Sequence, residues 1–274
     1  MKYALLSLFL IASSLFAQQP AQPLKGEPTN AAEAAAQKAA ADKKADEEYQ
    51  ALVATLPPAQ QAWERTLQEN LGTFYLPIHK RVRVQGRSSC WDYVQDDPKL
   101  PRVLLIGDSV SGGYTLATRK LLAGRANVHK APENCGPTSN GLKKLDVWLG
   151  DNEKWDVIHF NFGIHDRATP IADYTHRLEQ LIERMQKTGA KLVWASSTPI
   201  PDDPEKKQTA ASIVDRNQAA AEVMHQHGIP IDDLFTAITP HLATMQNPHD
   251  VHFNATGYDF LGQQVATSIE TALK

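Results

Sequence analysis

Pro101-Arg102-Val103-Leu104-Leu105-Ile106-Gly107-Asp108-Ser109-Val110-Ser111-Gly112-Gly113 is the stretch on which the fold turns. Residues 103–106 are an unbroken aliphatic run, the pattern of a parallel strand buried on both faces. Gly107 ends the run and Ser109 follows at once, so the serine lies at the carboxyl end of the strand. The Gly112-Gly113 pair reads as a turn into a helix. Further short, β-rich runs occupy residues 157–162, 192–195 and 229–231, and the segment around Val128 has the same character. Helical periodicity separates them, clearest in Tyr174, Leu178, Leu181, Ile182 and Met185, which Gly189 terminates, and in Leu261, Val265, Ile269 and Leu273. This alternation predicts an α/β domain over residues 101–274. Its open parallel sheet carries helices on both faces and binds ligands beyond the carboxyl ends of the strands.

Upstream the pattern changes. Residues 1–17 read as an export signal, with Lys2 as the positive start, an apolar stretch over 4–16 and the small Ala17 at the cut. Residues 18–58 are a low-complexity leader whose Ala, Lys and Glu run has high helix propensity but almost nothing large to bury. Residues 59–100 form an accessory helix and lead-in. Trp63, Leu67 and Leu71 make one apolar stripe, and Phe74, Tyr75, Val82, Val84 and Trp91 suggest short extended pieces. Among the 274 residues no stretch after the signal is long and apolar enough to span a bilayer. A formal net charge of -3 gives no field that would gather nucleic acid. The chain is expected to act without a metal or cofactor; its oligomeric state stays open. Cys90 and Cys135 are the two cysteines, and in an oxidising compartment they can bridge; sequence alone leaves that open.

The second chemical feature is Asp250-Val251-His252-Phe253-Asn254, followed by Gly257 and the last helix. A hydroxyl is a poor nucleophile near neutral pH and needs a base such as imidazole. His252 is placed to return to the same edge of the sheet as Ser109.

Gly107-Asp108-Ser109 after a strand, with an Asp- and His-containing loop before the last helix, resembles the SGNH or GDSL-like hydrolases over residues 101–274. The resemblance implies a flavodoxin-like three-layer α/β sandwich, here preceded by a helical extension. It also implies that Ser109 is the nucleophile and His252 the general base. By the same resemblance Cys135-Gly136-Pro137-Thr138-Ser139 is the glycine block, with Ser109, Gly136 and His165 forming the oxyanion hole. Two blocks depart from the family pattern. Gly163-Ile164-His165-Asp166 has histidine where the family has asparagine, so His165 either donates to the oxyanion or positions substrate. The family's acid stands three residues before the histidine, where this chain has His249. Asp250, two before, either orients the imidazole or points away and leaves a Ser-His dyad. Asp166 is expected to hold its turn, and residues 196–203 to overhang the active edge.

The implied activity is that of an exported serine esterase on a small-molecule or glycan ester, with a carbohydrate O-acetyl ester as the first expectation. A lipase or lysophospholipase and a non-catalytic carbohydrate-binding envelope protein are the alternatives.

Overall fold

The five β-rich runs do form one sheet. In this computed structural model, which describes residues 31–151, 153–205 and 208–274, they are β1 (Arg102–Ile106), β2 (Asn127–Lys130), β3 (Val157–Phe160), β4 (Lys191–Ala195) and β5 (Ile231–Asp232). The expected signal over residues 1–17 and the leader as far as residue 30 lie outside the described residues. All pairings are parallel in the order β2-β1-β3-β4-β5, with Val103 beside Val128 on one side and Val157 on the other. This is the flavodoxin-like order, whose direction of winding reverses between β1 and β3. Among the described residues, no helix is long and apolar enough to cross a membrane.

Among the described residues ten α-helices accompany the strands: α1 (Ala31–Thr55), α2 (Pro58–Asn70), α3 (Gly72–Val84), α4 (Ser109–Leu121), α5 (Thr138–Leu149), α6 (Ile171–Gln186), α7 (Ala210–Gln226), α8 (Leu234–Ile238), α9 (Leu242–Met245) and α10 (Ala255–Leu273). Alternation along the strands divides the core. Leu104, Ile106, Ile158, Phe160, Leu192 and Trp194 pack with α5, α6 and α7. Val103, Leu105, Val157, Val193 and Ala195 pack with α4, α8 and α10. Strands buried on both faces in this way need continuous apolar runs, which is why they are legible in the sequence.

Residues 44–274 form one compact unit, and one expectation for the upstream region is corrected. The lead-in is docked by hydrogen bonds from Trp63 Nε1 to the Trp91 carbonyl (2.7 Å) and from Trp91 Nε1 to the Ala131 carbonyl (3.2 Å). Residues 72–84 are helical and not extended. Leu71, Tyr75, His79 and Arg83 recur every four residues, but half of that stripe is polar because its partner is a carboxylate. Glu64 of α2, 2% exposed, accepts from Tyr49 Oη of α1 and pairs with His79 Nε2 of α3, each at 2.7 Å, and accepts from Arg83 Nε at 2.9 Å. The polar residues Glu64 and His79 thus do the work of an apolar seam, in a helix that also accommodates Pro77 in its interior.

Desolvation alone would raise the Glu64 carboxyl, yet the hydrogen bonds from His79 and Tyr49 and the charges of His79 and Arg83 outweigh it and hold it below the usual range. A carboxyl depressed by folding adds stability that is complete above its unfolded pKa, about 4.3, and is lost as pH falls through the lower folded value. The melting temperature should therefore drop on acidification below about pH 4, and Glu64→Gln should flatten that drop; thermal unfolding of both proteins against pH measures it.

Helices α4 and α10 meet at unusually short range because Gly113 has no side chain. A methyl there would stand 2.0 Å from Tyr258 Cε1. Gly113→Ala should cost about 1–3 kcal/mol of stability by overpacking and should also lower turnover, because Tyr258 follows the loop that carries His252. Chemical denaturation and steady-state assays on the same preparation check both effects.

Candidate active site

The turn after β1 delivers Ser109. Asp108 caps α4 by accepting from the Val110 N–H at 3.0 Å, so the helix begins at Ser109 itself and not after Gly112-Gly113 as the sequence suggested. The first N–H groups of a helix have no carbonyl partner within it and face outward with the positive end of the dipole. Ser109 sits at that end.

His252 arrives from the loop between α9 and α10. The Asn247 N–H donates to the His252 carbonyl (2.9 Å), and Asn254 caps α10 through the Gly257 N–H (3.0 Å). Ser109 Oγ and His252 Nε2 are 2.8 Å apart, and His252 Nδ1 lies 2.8 Å from Asp250 Oδ1. Asp250 Oδ1 also accepts from the His252 backbone N–H at 3.2 Å. Asp250 therefore lies on the imidazole and does not point away. His249, where the family's acid would stand, has φ +56, a left-handed turn that brings the next residue round to the ring. Partial burial would raise the Asp250 carboxyl, but hydrogen bonds from the His252 ring and backbone hold it below the usual range. A carboxylate accepting at Nδ1 leaves that nitrogen protonated and Nε2 with a lone pair toward the serine.

The glycine block closes on the same point. The Cys135 N–H donates to the Gly107 carbonyl (3.2 Å), and Gly136 takes φ +63, a conformation that favours glycine. Asp166 holds more than its own turn. Fully buried, it accepts from the Thr138 N–H (2.8 Å) and Thr138 Oγ1 (2.7 Å), tying the third block to the glycine block. Arg216 of α7 fastens the other side, with Nε 3.0 Å from the Asp166 carbonyl. His165, 38% exposed, turns Nε2 to within 3.9 Å of Asp108 Oδ2, beside the nucleophile and beyond hydrogen-bond distance.

Both thiols are free, so the bridge between Cys90 and Cys135 that the sequence left open is not formed. Cys135 directs its sulfur toward the Glu133 carbonyl and has Lys130 Nζ 4.0 Å away, while Cys90 packs beside Gly112 of α4. Burial pushes both thiols up, Cys135 to about 11, which keeps them protonated and slow to oxidise. Of residues 196–203, residues 196–200 are buried, and Ser196, Ser197 and Thr198 line a small cavity with Asp108 and Leu234.

Three residues here were missed by the sequence reading. Lys130, 1% exposed, donates from Nζ to the Gly107 carbonyl (2.8 Å) behind the nucleophile turn. Asn134 Nδ2 donates to Tyr75 Oη at 2.6 Å. Tyr75 comes from α3, and burial pushes its phenol up, against the hydrogen bond from Asn134. Half-buried Tyr258, pushed up to about 12 chiefly by desolvation, is near enough to Asp108 and Asp250 to feel their charge. Only the fourfold spacing of Leu71, Tyr75 and His79 hinted at Tyr75.

Known proteins share this architecture. A lipase/acylhydrolase from Enterococcus faecalis superposes with a TM-score of 0.57 at 23% identity, covering 64% of this chain and 97% of that one. An acetyl xylan esterase gives 0.54 at 14% identity, covering 61% and 99%. An acetylxylan esterase from Geobacillus stearothermophilus gives 0.52 at 15% identity, covering 62% and 94%. Among the curated proteins none matches in sequence. The GDSL-like lipase/acylhydrolase family matches residues 105–260, more than half of the sequence and every block described above, and the chain belongs to that family of carboxylic ester hydrolases.

Proposed function

We propose that the protein is a serine esterase acting through Ser109, His252 and Asp250 on a short-chain acyl ester of a carbohydrate. The observation that carries this reading is the continuous set of contacts from Ser109 Oγ to His252 Nε2 and from His252 Nδ1 to Asp250 Oδ1, each at 2.8 Å. His252 takes the serine proton as Oγ bonds to the ester carbonyl carbon. The Ser109 and Gly136 N–H groups and the His165 ring are the donors this reading assigns to the tetrahedral oxyanion. The imidazolium then protonates the leaving alcohol, and water repeats the sequence to free the acid. Asp250 keeps the imidazole in the productive tautomer throughout.

One likeness supports a short acyl group on a sugar. The acetylxylan esterases among the proteins of like fold act on acetylated sugars by their names. Such a polymeric substrate accords with the export expected from residues 1–17.

Ser109→Ala and His252→Ala should each lower kcat on p-nitrophenyl acetate by about a thousandfold or more, and the double variant should lose little beyond either single one, because the two groups act as a unit. Retained turnover in Ser109→Ala would remove the nucleophile assignment. On an ester series of rising chain length, kcat/KM should fall steeply beyond butanoyl. A rise toward decanoyl would favour a lipase over a sugar deacetylase.

A further inference from the structure

Along β2, the edge strand of the sheet, lies a cavity of about 630 Å³ to which none of Ser109, Gly136, His165 and His252 contributes. Its walls come from the lead-in, from Trp63 and Thr66 of α2, from β2 and from the stretch after α5 that carries Glu153 and Trp155. The volume falls within the range of small-molecule sites, about 300–1,000 Å³. We propose that this cleft is a second, non-catalytic site that binds a short stretch of a neutral glycan chain. Its use as an anchor for a polymeric substrate rests on the reading of that substrate as a carbohydrate ester; the binding itself needs neither Ser109 nor turnover.

The ligand class follows from what the walls offer and what they have already committed. Trp63, Tyr93, Trp148 and Trp155 supply aromatic surface. Each indole N–H is donated within the protein, from Trp63 to the Trp91 carbonyl (2.7 Å), from Trp148 to Glu133 Oε2 (2.9 Å) and from Trp155 to the Leu149 carbonyl (2.8 Å). What these rings offer a ligand is therefore carbon. Trp148 and Trp155 are nearly buried, whereas Trp63 and Tyr93 are half-buried and keep ring surface open. The negative face of an aromatic ring attracts the C–H bonds along one side of a pyranose.

The charges of the cleft are largely set against one another. Arg102 Nε lies 2.7 Å from Asp96 Oδ2, the same guanidinium pairs with Glu153 and lies over the Trp155 ring, and His129 Nε2 meets Asp96 Oδ1 at 2.7 Å. Four carboxylates stand against three basic side chains in the lining, a balance that gathers neither a polyanion nor a lone ion. Among the described residues no group of His, Cys, Asp and Glu is placed to hold a metal. An alkyl chain would strip water from these paired groups without replacing its hydrogen bonds. A sugar meets both demands, with hydroxyls for the charged groups and C–H faces for the rings. Arg119 also keeps a donor in reserve: its Nε donates to the Val128 carbonyl at 2.8 Å, but its Nη2 is buried without a hydrogen-bond partner.

The test is calorimetric titration of the full chain with xylohexaose, cellohexaose and chitohexaose, none of which carries an ester. At least one should bind with a Kd of about 0.1–1 mM, and Ser109→Ala should bind it equally. Tyr93→Ala removes an open ring, and Val147→Trp narrows the cleft from an exposed position in its lining. Each should weaken that binding about tenfold or more, with the melting temperature unchanged. Binding of none of the three sugars overturns the proposal. So does binding that folded Tyr93→Ala and Val147→Trp retain in full, or that Ser109→Ala loses. Where one cleft variant melts early, the other decides. Failure of the esterase reading looks different, as p-nitrophenyl acetate turnover that survives in Ser109→Ala, and it is read in an assay without sugar.

Discussion

Ser109 and His252 stand 143 residues apart in sequence and 2.8 Å apart in space, and the chemistry of the chain depends on keeping that distance. A displacement of about 1 Å in a reacting pair can cost a hundredfold in rate. The contact is kept by the packing of α4 on α10, because Ser109 is the first residue of one helix and His252 lies three residues before the other. Gly113 lets the two helices approach at the end nearest the site, with the Tyr258 ring in the space a side chain would fill. Asn254 fixes where α10 starts, and so where the loop bearing His252 leaves it. The pair is thus set by two helix starts and by the loop hydrogen bond from Asn247 to the His252 carbonyl.

The polar parts of the site are braced by groups that are themselves satisfied. Asp166 is fully buried and accepts from both the backbone and hydroxyl of Thr138, so the turn carrying His165 and the loop carrying Gly136 move as one piece. A buried carboxylate without such donors would be strongly destabilising. Replacing the family's asparagine by His165 leaves this brace untouched, since Asp166 and not residue 165 holds the turn. His165 is partly exposed at its surface, where a larger ring fits without repacking the core.

How much of this was legible follows from the physics of each element. The strands were legible because burial on both faces demands unbroken apolar runs, and the motifs at Ser109 and His252 because they sit at element ends where spacing is constrained. Their meeting was an expectation from family resemblance, whereas the choice between an orienting Asp250 and a Ser-His dyad was left open by it and is settled by the 2.8 Å contact between Asp250 Oδ1 and His252 Nδ1, which no spacing rule reveals. Helix α3 was missed because its inward stripe is half polar: Tyr75, His79 and Arg83 face Asn134 and Glu64, so hydrophobic periodicity is weak where hydrogen bonds replace it. The same blindness hid Tyr49, a buried aromatic in an otherwise solvated Ala-rich run.

Lys130 shows why buried charge is the hardest feature to read. In sequence it is one more lysine at the end of a strand, and lysines are almost never fully buried without a partner. Here its Nζ donates to the Gly107 carbonyl, one of the few acceptors that the turn before Ser109 leaves pointing inward, and the same carbonyl accepts from the Cys135 N–H. One oxygen therefore joins the end of β2, the nucleophile turn and the glycine block. Desolvating an ammonium costs several kcal/mol, which a carbonyl hydrogen bond alone does not recover. What the position gains is positive charge behind the turn, aligned with the amino-terminal end of α4. Both favour negative charge at Ser109, the place where acyl transfer creates it.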